Sequence, residues 1–350
     1  MLGLDKRKTT SVKWGAAGLL TLSLLLSACG NADEPAGNGA GAGAGEASPA
    51  ATAAASPAAS AAAAASPAAQ QPAEKTVTDA MGHEVTVPAS PKRILASYLE
   101  DHLVTLGVTP VAQWSVANGI QDYLGEHLKD VPTVGYDLPT ESVLSHQPDF
   151  IIVGSEGTVQ NGHYDQLNKI APTYVIGDET TKDWRKTLLT IGDLLNMKEK
   201  AEQAIKDYDQ KAAEAKEKLS GAVGQESAAV LWLVKKNFFI VDETQSSGAV
   251  LYGDLGMTPP NLVTEIPAET KASWNPVSLE KLAELTADHI FLVNSDKAGN
   301  AEILNSPIWK GIPAVKAGHV YEMESKGSWL YSGATANAMT IDAVLKILVK

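Results

Sequence analysis

From residue 75 onward, hydrophobic and polar positions fall into short units that switch between a period of two and a period of three to four. Two alternating runs flank Met81-Gly82-His83 over 75–87, the pattern of a β-hairpin. Apolar runs of strand length follow at 93–97 (RILAS), 110–114, 131–135, 149–154 (DFIIVG) and 173–176. Helical spacing lies between them at 99–106 (stopped by Gly107), 141–145 (ended before Pro148), 164–170 and 184–195. After residue 222 the alternation restarts, with strands over 228–234, 238–241, 289–294 (HIFLVN) and 319–323 and helices over 250–255, 279–285 and 335–348. Repeated βα units predict an α/β fold: two Rossmann-like lobes with mostly parallel sheets, an N-terminal one over 76–196 and a C-terminal one over 222–350.

One longer element separates them. The stretch 198–219 (KEKAEQAIKDYDQKAAEAKEKL) has neither Gly nor Pro and is rich in strong helix formers. Ala201, Ile205, Tyr208, Ala212, Ala215 and Leu219 recur at spacings of four and three, which sets them on one stripe. Such a helix is ~33 Å long, and Ser220-Gly221 supplies a stop. A single short run of heptad-like spacing is too little for a coiled coil. Its place between two α/β lobes makes it a linking helix, over 197–221. A continuous helix has no loop hinge, so only a few degrees of lobe closure are expected on ligand binding.

Composition changes the picture at the N terminus. Lys6, Arg7, Lys8 and Lys13 precede an apolar stretch over 16–26, and Ser27 and Ala28 lead to Cys29; this reads as a signal peptide over 1–28, too short to span a bilayer. Leu26-Ser27-Ala28-Cys29 resembles the bacterial lipobox, in which the Cys is lipidated and becomes the mature N terminus. Several acyl chains on Cys29, at ~0.8 kcal/mol per buried CH₂, would hold the protein at a membrane. Residues 29–75 are dominated by Ala, Gly, Ser and Pro and are expected to form a disordered tether. Cys29 is the one cysteine, so no disulfide is available and the fold must rest on its core. The formal net charge of −13 argues against nucleic acid and against polybasic contact with anionic lipid.

Candidate chemistry is sparse. The seven His include no i,i+4 pair, and HExxH, GxSxG, GxxxxGK[ST] and a strand-following GxGxxG are all missing. Glu100, Asp101 and His102 come nearest to a metal-ligand cluster, and a surface helix start explains them equally well. Ser155-Glu156-Gly157 resembles a nucleophile turn only loosely. No catalytic residue, resident cofactor or protein-held metal is expected. In open α/β lobes, however, ligands bind beyond the carboxyl ends of the strands, and two such ends facing each other make a cleft. Tyr98, Trp114, Ser115, Tyr136, Ser155, Trp184 and Arg185 occupy those positions in the first lobe, and Trp274, Trp329 and Tyr331 in the second; these are the candidate ligand contacts. Trp232, Lys235, Tyr252 and Asn294 lie nearby, with Trp232 better explained as core and Tyr252 equally as packing. Arg185 has a competing explanation, pairing with Glu179 or Asp183.

Five segments in order carry a resemblance: TVTDAMGHEVTVPASPKRILA, ESVLSHQPDFIIVGSEG, VLYGDLGMTPPNLV, SWNPVSLEKLAELTADHIFLVN and SPIWKGIPAVKAGHVYEM. Together they resemble the helix-linked, periplasmic-type solute-binding proteins of ABC importers for ferric siderophores, haem and cobalamin. The run over 237–260 is similar to the binders of hydroxamate-type siderophores. The resemblance implies a monomeric, non-enzymatic lipoprotein on the extracytoplasmic face of the cell membrane. It would hold a ferric siderophore between its lobes, with the iron coordinated by the siderophore, and deliver it to an ABC permease and its ATPase. It also implies that Glu141 and Glu280, one per lobe, dock into Arg pockets of the permease. Helix-start carboxylates stabilised by the helix dipole are the plain alternative for both. A bulky, oxygen-rich chelate suits aromatic walls with polar edges, and the chain has seven Trp and nine Tyr against four Phe. Trp274, just before the second docking Glu, would form part of the wall, and Arg185 would offer a forked donor pair. Haem, which needs an axial Tyr, His or Met, and cobalamin are the rival cargoes. A cell-envelope hydrolase acting through Ser155 is the rival of another class.

Overall fold

A computed structural model describes residues 73–349 apart from Asn118. The signal peptide, Cys29 and most of the tether lie outside the described residues. The hairpin is β1 (Lys75–Thr78) paired antiparallel with β2 (Glu84–Val87). It begins at Lys75, a residue that composition assigned to the tether, and the Lys75 ammonium pairs with Asp193 at 2.9 Å.

The first lobe is built on β3 (Ile94–Leu95), β4 (Gln113–Ser115), β5 (Thr133–Gly135), β6 (Phe150–Val153) and β7 (Thr173–Val175). Every pairing among them is parallel, with β6 between β3 and β7 and β4 beside β5. The Val111 N–H donates to the Ile94 carbonyl at 2.9 Å and ties the chain leading into β4 to β3. The second lobe carries β8 (Ala228–Val234), β9 (Asn237–Val241), β10 (Trp274–Val277), β11 (His289–Asn294) and β12 (Val320–Met323), in the order β10-β9-β8-β11-β12. The β8–β11 and β11–β12 pairings are parallel, and β9 pairs antiparallel with both β8 and β10. Lys235 and Lys236, both at positive φ (48° and 63°), form the two-residue turn that folds β9 back on β8. The sequence reading has no strand at β10 because Pro276 lies in it. The strand occupies the sheet edge, where a missing N–H is tolerated.

Strand alternation sorts the core into layers. In β6, Phe150 and Ile152 face one cluster while Ile151 and Val153 face another. In β11, Phe291 and Val293 face the same cluster as Phe150, and Ile290 and Leu292 face a third. The shared cluster is therefore common to both lobes, and the linking helix runs through it: Ala201, Tyr208, Ala212, Ala215 and Leu219 are buried there, with Ile205 partly buried. This helix spans Lys198–Val223 and is four residues longer than the spacing predicts. Ser220-Gly221 does not stop it, since glycine can stay helical; the left-handed Gly224 (φ 62°) does. The preceding helix, Trp184–Leu194, crosses so closely that a Cβ on Gly192 would sit 2.7 Å from the Ala201 Cβ.

The C-terminal helix, Ala334–Leu348, packs on the linking helix and on helix Glu100–Thr105 of the first lobe. Its N terminus is capped from that lobe: the buried Asp101 carboxylate accepts the Thr335 N–H (3.1 Å), the Ala336 N–H (2.9 Å) and the Tyr123 hydroxyl (3.1 Å). Gly333 permits this approach, with φ at 149° and no room for a Cβ, which would lie 2.3 Å from the carboxylate. Gly333→Ala is expected to lower stability by about 1–3 kcal/mol. Gly221→Ala, in a helix with open space around it, should raise stability by about 0.5–1 kcal/mol. Urea denaturation midpoints of the two variants check both signs.

Candidate functional site

The carboxyl ends of the first-lobe strands and the adjoining second-lobe loops enclose a cavity of about 840 Å³. From the first lobe it is lined by Ser97 and Tyr98 beyond β3, Trp114 of β4, Tyr136 beyond β5 and Gly154-Ser155 beyond β6. Trp274 of β10, Gln245 and Tyr331 close it from the second lobe. This is where open α/β sheets place ligands, and the volume suits a substantial small molecule.

Aromatic rings dominate the walls. Tyr98 and Tyr136 are 52% and 64% exposed, unusual for rings of this size. Tyr98 also holds φ at 65°, a left-handed backbone that costs a non-glycine residue about 1–3 kcal/mol. Its ring tilts against Trp114 (centroids 5.0 Å apart) and Tyr331 (6.1 Å), so one strained residue joins the aromatic surfaces of both lobes. Trp274 stands on an edge strand and meets Trp232 edge-on at 6.0 Å. Trp232 is anchored away from the cavity lining by its Nε1–H donating to the Ser295 hydroxyl (2.8 Å), and the Tyr252 hydroxyl donates to the Ala228 carbonyl (2.9 Å). Ser155 lines the cavity, and its hydroxyl accepts the Gly157 N–H at 3.1 Å.

Three expected contacts lie elsewhere. Arg185 does not reach the cavity: its guanidinium donates to Asp209 of the linking helix (2.6 and 3.0 Å) and to Asp254 of the second lobe (3.1 Å). Its partners are neither Glu179 nor Asp183, because helix Trp184–Leu194 turns this face toward the linking helix. Asp254 also accepts the Tyr208 hydroxyl (2.6 Å), so the pair of carboxylates fixes the cation. Trp329 is 4% exposed and stacks on Phe291 at 4.9 Å in the shared core. Ser115 spends its hydroxyl on the Val134 carbonyl of β5 (2.9 Å). Trp184 does line the cavity, but as a core residue 5% exposed, packed edge-on against Tyr208 (4.9 Å) with Arg185 stacked over it (4.6 Å).

The helix start at Glu100–His102, expected at the surface, is buried instead. Glu100 accepts the Trp114 N–H at 2.6 Å, and burial pushes its carboxyl up to about 7. Burial raises Asp101 to about 6 against the hydrogen bonds that favour its ionised form. His102 is lowered to about 4 by burial and is neutral at physiological pH. Four polar atoms of cavity-lining residues are enclosed without a hydrogen-bond partner: Ser97 Oγ, His102 Nδ1, Gln121 Oε1 and Trp184 Nε1. Leaving such atoms unpaired costs about 1–3 kcal/mol each. Among these, only Trp184 was expected from sequence as a ligand contact; His102 was singled out only for its nearness to a metal-ligand cluster, and Ser97 and Gln121 carried no signal. Among the described residues, no three His, Cys, Asp or Glu side chains are placed to hold a metal ion.

Glu141 and Glu280 are exposed in the first turns of helices Thr140–Ser145 and Leu279–Leu282. Each short helix precedes a strand paired on both sides, β6 or β11. The second is capped by Ser278, whose hydroxyl accepts the Lys281 N–H at 3.1 Å. Neither glutamate takes part in a salt bridge among the described residues.

The family model for periplasmic binding proteins matches residues 96–326. The chain is 30% identical over 275 residues to the iron(3+)-hydroxamate-binding protein YxeB of Bacillus subtilis, covering 76% of this chain and 83% of that one. Its fold superimposes with a TM-score of 0.66 on a FhuD-fold periplasmic binding protein component of a ferrichrome ABC transporter from Bacillus subtilis (25% identity, 78% of this chain and 100% of that one). It superimposes equally, at 0.66, on Staphylococcus aureus SirA complexed with staphyloferrin B (27% identity, 78% and 98% covered).

Glu100→Gln keeps an acceptor for the Trp114 N–H and removes the titration. The folded-state value of Glu100, about 7, lies above the ordinary 4.5. The carboxyl's contribution to stability is therefore full below 4.5 and is lost as pH rises through about 7. Relative to Glu100→Gln, the wild type should lose about 3 kcal/mol across that window and stay offset above it. Urea midpoints at a series of pH values check this, and parallel curves would mean that the carboxyl is not buried.

Proposed function

The chain belongs to the periplasmic binding protein family, and on that footing we propose that it is the lipid-anchored binding component of an ABC importer for a hydroxamate-type ferric siderophore. The observation that carries the reading is the open aromatic cleft of about 840 Å³ between the lobes. Tyr98, Trp114, Tyr136, Trp274 and Tyr331 offer apolar faces and polar edges to a rounded chelate of mixed polarity. The iron is cargo, with its coordination filled by the siderophore; the protein contributes walls and hydrogen bonds and no covalent step. The iron-hydroxamate specificity of YxeB supports this cargo over haem and cobalamin.

Signal peptide 1–28 directs export, and the lipid on Cys29 with the tether that follows it keeps the monomeric protein at the extracytoplasmic face of the membrane, free to turn toward its permease. Glu141 and Glu280, exposed and one per lobe, are the docking contacts. Because they lie outside the cavity lining, docking and capture are separable. Tryptophan fluorescence, titrated with a ferric trihydroxamate, haem and cobalamin, should be quenched at micromolar ferric trihydroxamate; no quenching by it would overturn the cargo. The doubly substituted Glu141→Ala, Glu280→Ala protein should bind the chelate unchanged and support no uptake of labelled iron by cells. Uptake at the normal rate would remove the docking role.

A further inference from the structure

The second-lobe sheet carries an aromatic surface that the cleft does not account for. Trp232 of β8, Phe239 of β9 and Pro276 of β10 stand opposite one another in register, so their side chains share one face of the sheet. Strand alternation turns that face toward the shared core: Val230 and Val241, two positions from Trp232 and Phe239, are buried in it. Phe239 lies past the end of that core. Of the four Phe it alone is not buried, and it belongs to none of the core clusters. Its ring rests on Trp232, with centroids 5.3 Å apart and 35° between the planes, and Trp232 in turn meets Trp274 at 6.0 Å and 72°. Trp274 lines the cleft, whereas Trp232 and Phe239 do not. An apolar strip therefore leaves the cleft at Trp274 and runs out along the sheet to the exposed Pro276.

The strip has no free polar group to offer a ligand. The Trp232 Nε1–H is committed to the Ser295 hydroxyl at 2.8 Å, and the side chains of Phe239 and Pro276 carry neither donor nor acceptor. Only apolar atoms gain by leaving water for such a surface. The rings are inclined to one another, so a flat aryl group stacks on one of them alone, while a flexible chain follows all three. We infer that the strip is a subsite for an aliphatic acyl arm on the cargo: the chelate sits in the cleft, and its arm leaves past Trp274 and lies along Trp232 and Phe239. The inference rests on the reading of the cleft as a ferric-chelate site and adds a class of cargo, acylated chelates. Continuity with the cleft through Trp274 favours the cargo's own arm over a partner protein as the occupant.

Calorimetric titrations of the full chain with two linear ferric trihydroxamates, alike except for an N-octanoyl or an N-acetyl terminus, test it. The octanoyl form, kept below its micelle concentration, should bind about tenfold more tightly. Phe239→Ser, at a half-buried side chain outside the core clusters, should cut that advantage several-fold while leaving the affinity for the acetyl form and the urea midpoint close to those of the wild type. If the variant does not fold, the wild type decides: a gallium chelate with a diazirine at the end of the octanoyl chain should, on irradiation, label the peptide that holds Trp232 or the one that holds Phe239. Equal affinity for the two forms, an advantage that Phe239→Ser leaves intact, or labelling away from both residues would overturn the subsite while leaving chelate binding in the cleft standing. A variant that keeps the advantage and instead loses iron uptake by cells would assign the strip to the permease and overturn the subsite as well. Failure of both forms to bind would fell the chelate reading itself, and this inference with it.

Discussion

The structure depends on one packing constraint: a stripe of small residues on a long helix, seated in a core that both lobes share. Ala201, Ala212 and Ala215 let neighbouring backbone approach closely, and Tyr208 and Leu219 fill the wider gaps. The inner faces of β6 and β11, from different lobes, contribute Phe150, Ile152, Phe291 and Val293 to the same cluster. Rotating one lobe against the other would open that cluster to water and lose close-packed contacts. The linking helix therefore acts as a brace inside a common core, and not merely as a spacer between two bodies.

Two polar ties strengthen the brace from opposite directions. On one side, Asp101 of the first lobe caps the C-terminal helix, and Lys326 pairs with Asp122 at 3.2 Å. On the other, Arg185 joins its own helix to Asp209 of the linking helix and Asp254 beyond it. Asp101 is buried, so removing it leaves the helix N–H groups uncompensated, whereas Lys326 and Asp209 are largely exposed and their ion pairs contribute little. The cleft between the ties is consequently preformed. Its lining keeps a strained Tyr98 and several unpaired polar atoms, features that a site evolved only for stability would not retain.

Much of this was legible in the sequence because it depends on local periodicity. The strand of HIFLVN, the helix stripe through Tyr208 and the hairpin around Gly82 are each specified by a few neighbouring residues. The aromatic walls were legible too, since Tyr98 and Tyr136 follow strand ends in a doubly wound pattern and Trp114 lies in the short strand β4. What was hidden depends on non-local partners. Arg185 is claimed by Asp254, 69 positions away. Trp329 finds Phe291 in the core, and β10 is concealed by Pro276 at the sheet edge. Glu100, Asp101 and His102 look like an exposed helix start until β4 and the C-terminal helix cover them. No spacing rule announces burial of that kind; an acidic pair set between Leu99 and Leu103 was the only available signal.

A crystal structure of the protein with a ferric trihydroxamate decides whether a preformed aromatic cleft between braced lobes holds an iron chelate. The chelate should lie against Tyr98, Trp114 and Trp274, with both lobes and the linking helix superimposing on the unliganded protein as one body. A chelate bound elsewhere, or lobes rotated as separate units about an interrupted helix, would contradict it.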